Sequence, residues 1–383
     1  MDHGASRPVD PRVMEAMEPF FTESYGNPSS FHSYGFDAIK AINLGRKRVA
    51  SLVGAEAQEI YFTASATESN NLGIGGAAKR YKKKGNKIIL SRIEHISTLN
   101  IGKELYREGF EIDYVPVDGE GIIKLNELER LIDDKTVLVS VMAANGEIGT
   151  IQPIQEAAEI AHEHSALFHT DATAAAGQLS LDVNYGIDLM TLSSNDIYGP
   201  KGVGALYIKR GIRVKPLILG GGQEMGVRSG SENVPGIVGM GMAALLASQE
   251  MKSESKRLSN LRDRLIGGII DEVPESYLNG HQTLRLPNNA NIRFSYIEGE
   301  SLILSLDQLG IQVSSGSACT AKTLEPSHVL RAMGLKHEEA HGSLVYTLGK
   351  VNNEEHVEYV IQRMPEVVGR LRSMSPLTPE ELR

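Results

Sequence analysis

The chain of 383 residues carries a formal net charge of −9, and 41% of its residues are hydrophobic. That apolar share is ample for a buried core, and the length suits two or three domains. The acidic balance excludes the basic footprint of a nucleic-acid-binding protein, and a single cysteine, Cys319, excludes an internal disulfide.

The opening Met1-Asp2-His3-Gly4 has neither the basic head nor the apolar stretch of a signal peptide. No segment reaches the roughly 18 consecutive apolar residues of a membrane span, so a cytoplasmic protein without membrane contact is expected. In chain order, strands are predicted at Glu59–Thr63, Lys87–Ser91, Thr136–Met142, Leu167–Asp171, Asp188–Leu192 and Gly204–Ile208. Amphipathic stretches such as Leu125–Ile132 and Ile154–His164 lie between them. This alternation predicts an α/β fold with a mostly parallel sheet covered by helices on both faces. Ligands of such sheets collect at the carboxyl ends of the strands. The basic run from Lys79 to Lys87 reads as a solvated helix end before a strand.

From about Gly241 the texture changes. A charged helical pattern spans Leu245–Val273, followed by a strand at Ala290–Phe294 and a helix at Gly299–Leu309. A second, smaller α/β domain is expected here, formed by residues 244–383 with the N-terminal segment 1–11, beside a large domain of residues 12–243.

Two motifs mimic chemistry. His337-Glu338-Glu339-Ala340-His341 fits the H-E-x-x-H zinc pattern, but no third ligand pattern follows, and the segment reads as a charged helix start after Gly334. Gly73-Ile74-Gly75 is a fragment of a dinucleotide loop without the full spacing.

Longer strings are more specific. Gly26-Asn27-Pro28-Ser29-Ser30, Thr67-Glu68-Ser69-Asn70-Asn71, the run from Ser91 to His95 and His169-Thr170-Asp171-Ala172 occur in order. They are followed by Ile197-Tyr198-Gly199-Pro200-Lys201-Gly202, Gly220-Gly221-Gly222-Gln223, Arg228-Ser229-Gly230-Ser231-Glu232-Asn233 and Ser315-Gly316-Ser317-Ala318-Cys319. In order and spacing these closely resemble the NifS/IscS-type cysteine desulfurases, from Asp2 to about Gly349. The resemblance implies a fold-type I pyridoxal phosphate (PLP) transferase working as a homodimer. It also implies a phosphate cup at Ala66-Thr67, Ser193 and Ser231 of the neighbouring subunit, a pyridine partner at Asp171 and a stacking imidazole at His95.

Elsewhere the chain departs from that pattern. Where the family reads Ser-x-His-Lys, this chain reads Ser193-Ser194-Asn195-Asp196. The family lysine forms the Schiff base and shuttles protons, and a carboxylate does neither. Gly146 and Ala174 replace side-chain amides expected near the ring oxygen, and Val345 replaces the arginine that grips the substrate carboxylate. PLP is therefore expected to be absent or bound without a covalent link. Cys319 sits among small and polar residues suited to a surface loop carrying function. It is expected to act as sulfur acceptor, or as ligand of an iron–sulfur cluster completed by an IscU-like scaffold, since four thiolates are usual and one is present. The alternative is an active PLP-dependent desulfurase that converts L-cysteine to L-alanine and leaves a persulfide on Cys319.

Overall fold

The computed structural model describes residues 1–316 and 326–382, so Cys319 lies outside the described residues. The described strands are β1 (Ile60–Thr63), β2 (Lys87–Ser91), β3 (Glu111–Val115), β4 (Thr136–Ser140), β5 (Leu167–Asp171), β6 (Leu189–Ser193) and β7 (Gly204–Ile208), then β8 (Ser276–Asn279), β9 (Asn289–Phe294) and β10 (Ser343–Thr347).

β1 to β7 form one sheet in the order β1-β7-β6-β5-β4-β2-β3. β7 runs antiparallel to β1 and β6, and the remaining pairs are parallel. Helices cover both faces, so β2, β4, β6 and β7 are buried at every residue. Two-sided burial is why these strands read as unbroken apolar runs. β3, the edge strand, alternates charge with partial burial, and its apolar signal is correspondingly weak.

The second sheet is antiparallel, in the order β10-β9-β8. The N-terminal segment docks on its edge: Asp2 bridges Thr347, and the Thr347 amide donates to the Met1 carbonyl at 2.8 Å. Each sheet has its own apolar core.

A helix of 39 residues, Val234–Glu272, ties the two cores together. Asn233 caps its start by accepting from the Gly236 amide at 3.1 Å. Val234, Ile237, Met240, Ala243, Ala244 and Leu246 pack into the large-sheet core. Leu258, Leu261, Leu265 and Ile269 pack into the small-sheet core. The helix begins earlier than the charged pattern predicts, because its first turns are mostly buried and carry no charge to mark them. A border at 243/244 falls inside this continuous helix, while the change of core partner comes between Leu246 and Leu258.

Candidate active site

The carboxyl ends of β2, β4, β5 and β6 open onto one cavity of about 470 Å³. That size suits a small organic ligand. Parallel strands bring their turns to the same side of a sheet. Glu94 and His95 follow β2, Asn145 to Glu147 follow β4, Asp171 ends β5, and Ser193 to Asp196 leave β6. The opposite wall comes from the small sheet and the N-terminal segment, through Val345, Thr347, Gly4, Ala5 and Arg7.

Asp171 is buried, yet both its oxygens are served. Asn70 Nδ2 donates to Oδ2 at 2.7 Å, and the Thr173 amide donates to Oδ1 at 3.0 Å. Asn70 Nδ2 spends its other hydrogen on Ser97 Oγ at 3.0 Å. Ser97 Oγ then lies 2.7 Å from His95 Nδ1, which also accepts from the Ser97 amide at 3.2 Å. This relay makes His95 Nδ1 an acceptor and leaves the ring proton on Nε2. The same histidine caps the helix Ile96–Arg107, so capping and site orientation are one interaction. Beneath Asp171, His169 is fully buried, and burial pulls its imidazole down to about 4, against the pull of Asp171.

Asp196 lies in a single 3-10 turn, Asn195–Ile197, that Tyr198 ends in the left-handed region at φ 64. Its side chain lines the cavity. Burial raises its carboxyl above the usual range, while the charge of Arg7 and a hydrogen bond from Ser193 oppose the shift. No lysine occurs among the described lining residues. Lys201, in the next turn, is exposed and lines no part of the cavity.

The other departures also lie on this cavity. A Cβ on Gly146 would sit 3.5 Å from Ala174 Cβ, so the two missing amide side chains belong to one spot. Val345 is buried on β10, with its backbone bridged to Ser314. Thr67 and Ser193 line the cavity; Ser231 is exposed and does not line its own chain's cavity. His337 and His341 share a short helix, with ring centroids 4.4 Å apart. Among the described residues no group of three or more His, Cys, Asp or Glu is arranged to hold a metal ion.

Two carboxyl groups that sequence reasoning passed over complete the picture. Glu94 is fully buried; Oε1 accepts from the Met142 amide at 2.7 Å and Oε2 has no partner. Burial, then repulsion from Asp171, raises its carboxyl well above the usual range. Glu147 is pushed up from 4.5 to about 7 by burial, against a hydrogen bond from Ser327. A raised carboxyl favours the folded state fully below its unfolded pKa of 4.5, and that contribution is lost as pH rises through about 7. Glu147→Gln is therefore expected to flatten the stability profile. Between about pH 5 and pH 8 the parent should lose roughly 2–3 kcal/mol that the variant keeps. Urea denaturation at a series of pH values checks this, and parallel profiles would reject it.

Asn70 and Glu94 sat within the strings that carry the resemblance, but their partners are 101 and 48 residues away in sequence. Arg7, a single arginine before Pro8, offered no signal at all.

The aminotransferase class-V description matches residues 1–360. The chain belongs to that family. It is 55% identical over 377 residues to the protein named cysteine desulfurase IscS 1 of Archaeoglobus fulgidus, covering 98% of each chain. It is 51% identical over 384 residues to cysteine desulfurase IscS of Methanosarcina thermophila, covering 100% of this chain and 95% of that one. Among solved structures, a NifS-like protein superposes with a TM-score of 0.91 at 38% identity, covering 97% of this chain and 99% of the other. Family members are PLP-dependent enzymes of fold type I. The fold expectation is met. The relatives' names favour the active-desulfurase alternative over a protein without that activity, and they lend no support to a chain devoid of PLP.

The residues present fit the cofactor in part. Asp171, held by two N–H donors, suits a protonated pyridine nitrogen; the helix start at Ala66-Thr67 and the Ser193 hydroxyl suit a phosphate; His95 suits the ring face. When bound, PLP supplies an electron sink. Asp196 does not fit the covalent attachment, because a carboxyl group offers no amine. Among the described residues no helix is long and apolar enough to cross a membrane.

Proposed function

We propose that this chain serves iron–sulfur cluster assembly as a cysteine desulfurase-family homodimer in the cytoplasm. In this reading it docks an IscU-like scaffold, presents the Cys319 thiolate to iron, and binds PLP without a covalent anchor. The observation that carries it is Asp196 facing a cavity with no lysine among its described lining residues. Sulfide already stands at the oxidation level of cluster sulfur, so a thiolate that only ligates iron needs no cysteine turnover. Exposed apolar residues on and before the helix Ser33–Leu52, including Phe31, Tyr34 and Phe36, support burial against a second copy.

The test mixes protein, scaffold, iron and sulfide without oxygen and compares Cys319→Ala with the parent, after sedimentation has established the dimer. Loss of the cluster's visible absorbance from the complex is expected in the variant. An unchanged spectrum and yield would remove the ligand role, and a monomer would remove the homodimer.

The second reading, an active desulfurase forming a persulfide on Cys319, is favoured by the names of the relatives. Sustained sulfide release from L-cysteine by the purified protein, with a thiol present to reduce the persulfide and no added enzyme, would establish it and displace the first.

A further inference from the structure

The turn after β4 brings Gly146 and Glu147 into the cavity wall, and its backbone hydrogen bonds fall into two sets. Its amides are served from within. Asn145 Oδ1 accepts from Glu147 and Ile148 at 2.9 and 3.0 Å, and the Asn145 carbonyl accepts from Gly149 at 2.8 Å. Its carbonyls are served from far along the chain, by β9 and the connection that leads into it. Asn289 Nδ2 donates to the Gly146 and Glu147 carbonyls at 2.8 and 3.1 Å, and Asn291 Nδ2 donates to Glu147 at 3.0 Å. Arg285 Nη2 donates to the Ile148 carbonyl at 2.8 Å, and the Leu286 amide donates to Gly149 at 2.8 Å. Buried carbonyls need donors, and four in succession find theirs on the small-sheet side.

Two of these donors carry a cost that packing does not explain. Arg285 is 3% exposed, and its guanidinium donates to the carbonyls of Asn279, His281, Asn289 and Ile148. Burial, then the charge of Arg262, pulls it down to about 10. A cation held by carbonyls alone recovers little of its desolvation cost, but its planar fork fixes several acceptors at set angles. Asn289 is fully buried, and its Oδ1 has no partner. A Cβ on Gly149 would lie 2.7 Å from that oxygen, so the turn and the asparagine meet with no side chain between them. Leucine would avoid the stranded oxygen and serve neither carbonyl. The Glu147 carboxyl follows from this placement: Oε1 is buried without a partner, and Ser327 hydrogen-bonds the group.

We infer that Arg285 and Asn289 are positioning residues of the cavity: through the carbonyls of residues 146–149 they hold the Glu147 carboxyl in its wall. The small-sheet side thereby sets part of a site that the large sheet opens. This holds whichever ligand the cavity takes.

Urea denaturation between about pH 5 and pH 8, on pairs with and without Glu147→Gln, tests it. The parent pair should diverge by roughly a hundredfold in folding constant over that range, because the raised carboxyl stabilises the fold at low pH and ceases to as pH rises through about 7. In Arg285→Met and in Asn289→Leu the carboxyl gains water, and the divergence should shrink at least about tenfold. Arg262→Met is the control: Arg262 is buried and donates to the Leu286 carbonyl at 2.8 Å, but reaches none of the four turn carbonyls. Its pair should diverge as the parent's does, whatever its overall stability. The other ionisable groups lining the cavity, Arg7, Glu94, His95, Asp171, Asp196 and His328, stay in both members of each pair and cancel. No divergence in the parent, undiminished divergence in Arg285→Met and Asn289→Leu, or an equal loss in Arg262→Met would overturn the inference. Where a variant does not fold, hydrogen exchange on the parent decides. The Leu286 amide should exchange no faster than the amides of β4, and faster exchange through local opening would overturn the inference too.

Discussion

Asp196→Lys is expected to convert exchangeable PLP into PLP fixed to the chain, seen as a mass increase of the intact protein after borohydride reduction. The parent treated identically should gain none. Position 196 leaves the carboxyl end of β6 toward the cavity, beside Ser193 and within the field of Arg7. Burial and a neighbouring cation both favour the neutral form of an amine placed there, and the neutral amine is the nucleophile. Activity should return only in part. Val345 supplies no charged grip, and a charge-assisted hydrogen bond is worth about 1.5–3 kcal/mol, or roughly tenfold to a hundredfold. Gly146 and Ala174 leave a further contact unmade. In the presence of a thiol that reduces the persulfide, Asp196→Lys with Val345→Arg should therefore release sulfide from L-cysteine at least about tenfold faster than Asp196→Lys alone. A reduced Asp196→Lys protein with no added mass would show that the lost amine is not what distinguishes this cavity.

The sheet was legible because its inner strands are buried on both faces, so composition alone marks them. β3 was not, since an edge strand carries Glu111 and Asp113 where an inner strand carries isoleucine or valine. β8 and β10 escaped for another reason: they are short and pair antiparallel around β9, with no crossover helix to announce them. In the site, Asp171, His95, Thr67 and Ser193 were named through ordered strings, and all four line the cavity. Ser231, which the resemblance lends to a neighbouring subunit, is exposed on its own chain. Arg7 and Glu147 are site residues only because the N-terminal segment and the turn after β4 converge in space. No local spacing encodes that convergence. The domain border drawn at 243/244 followed a change in charge pattern, whereas the helix through it changes its packing partner a few turns later.

The relay beneath the cavity makes a sharp demand on stability. Asn70 is wholly buried, and its amide nitrogen serves Asp171 and Ser97 at once. Leucine at position 70 keeps most of the volume and removes both donors. Asp171 then keeps a single donor, the Thr173 amide, with buried Glu94 close enough to be repelled by it. Removing one partner of a buried charge costs more than the pair contributes, because the charge left behind stays out of water. Asn70→Leu is thus expected to destabilise the cofactor-free protein by about 3 kcal/mol in urea denaturation. The double change Asn70→Leu with Asp171→Leu should cost less than the sum of the two single changes, by roughly 1–3 kcal/mol, because it also removes the stranded carboxylate. His95 loses its orienting chain in the same variant, so its ring resonances should shift even where the fold survives. A single-variant loss under about 0.5 kcal/mol, the ordinary scale of surface changes, would mean that water replaces Asn70 and that the relay holds nothing in place.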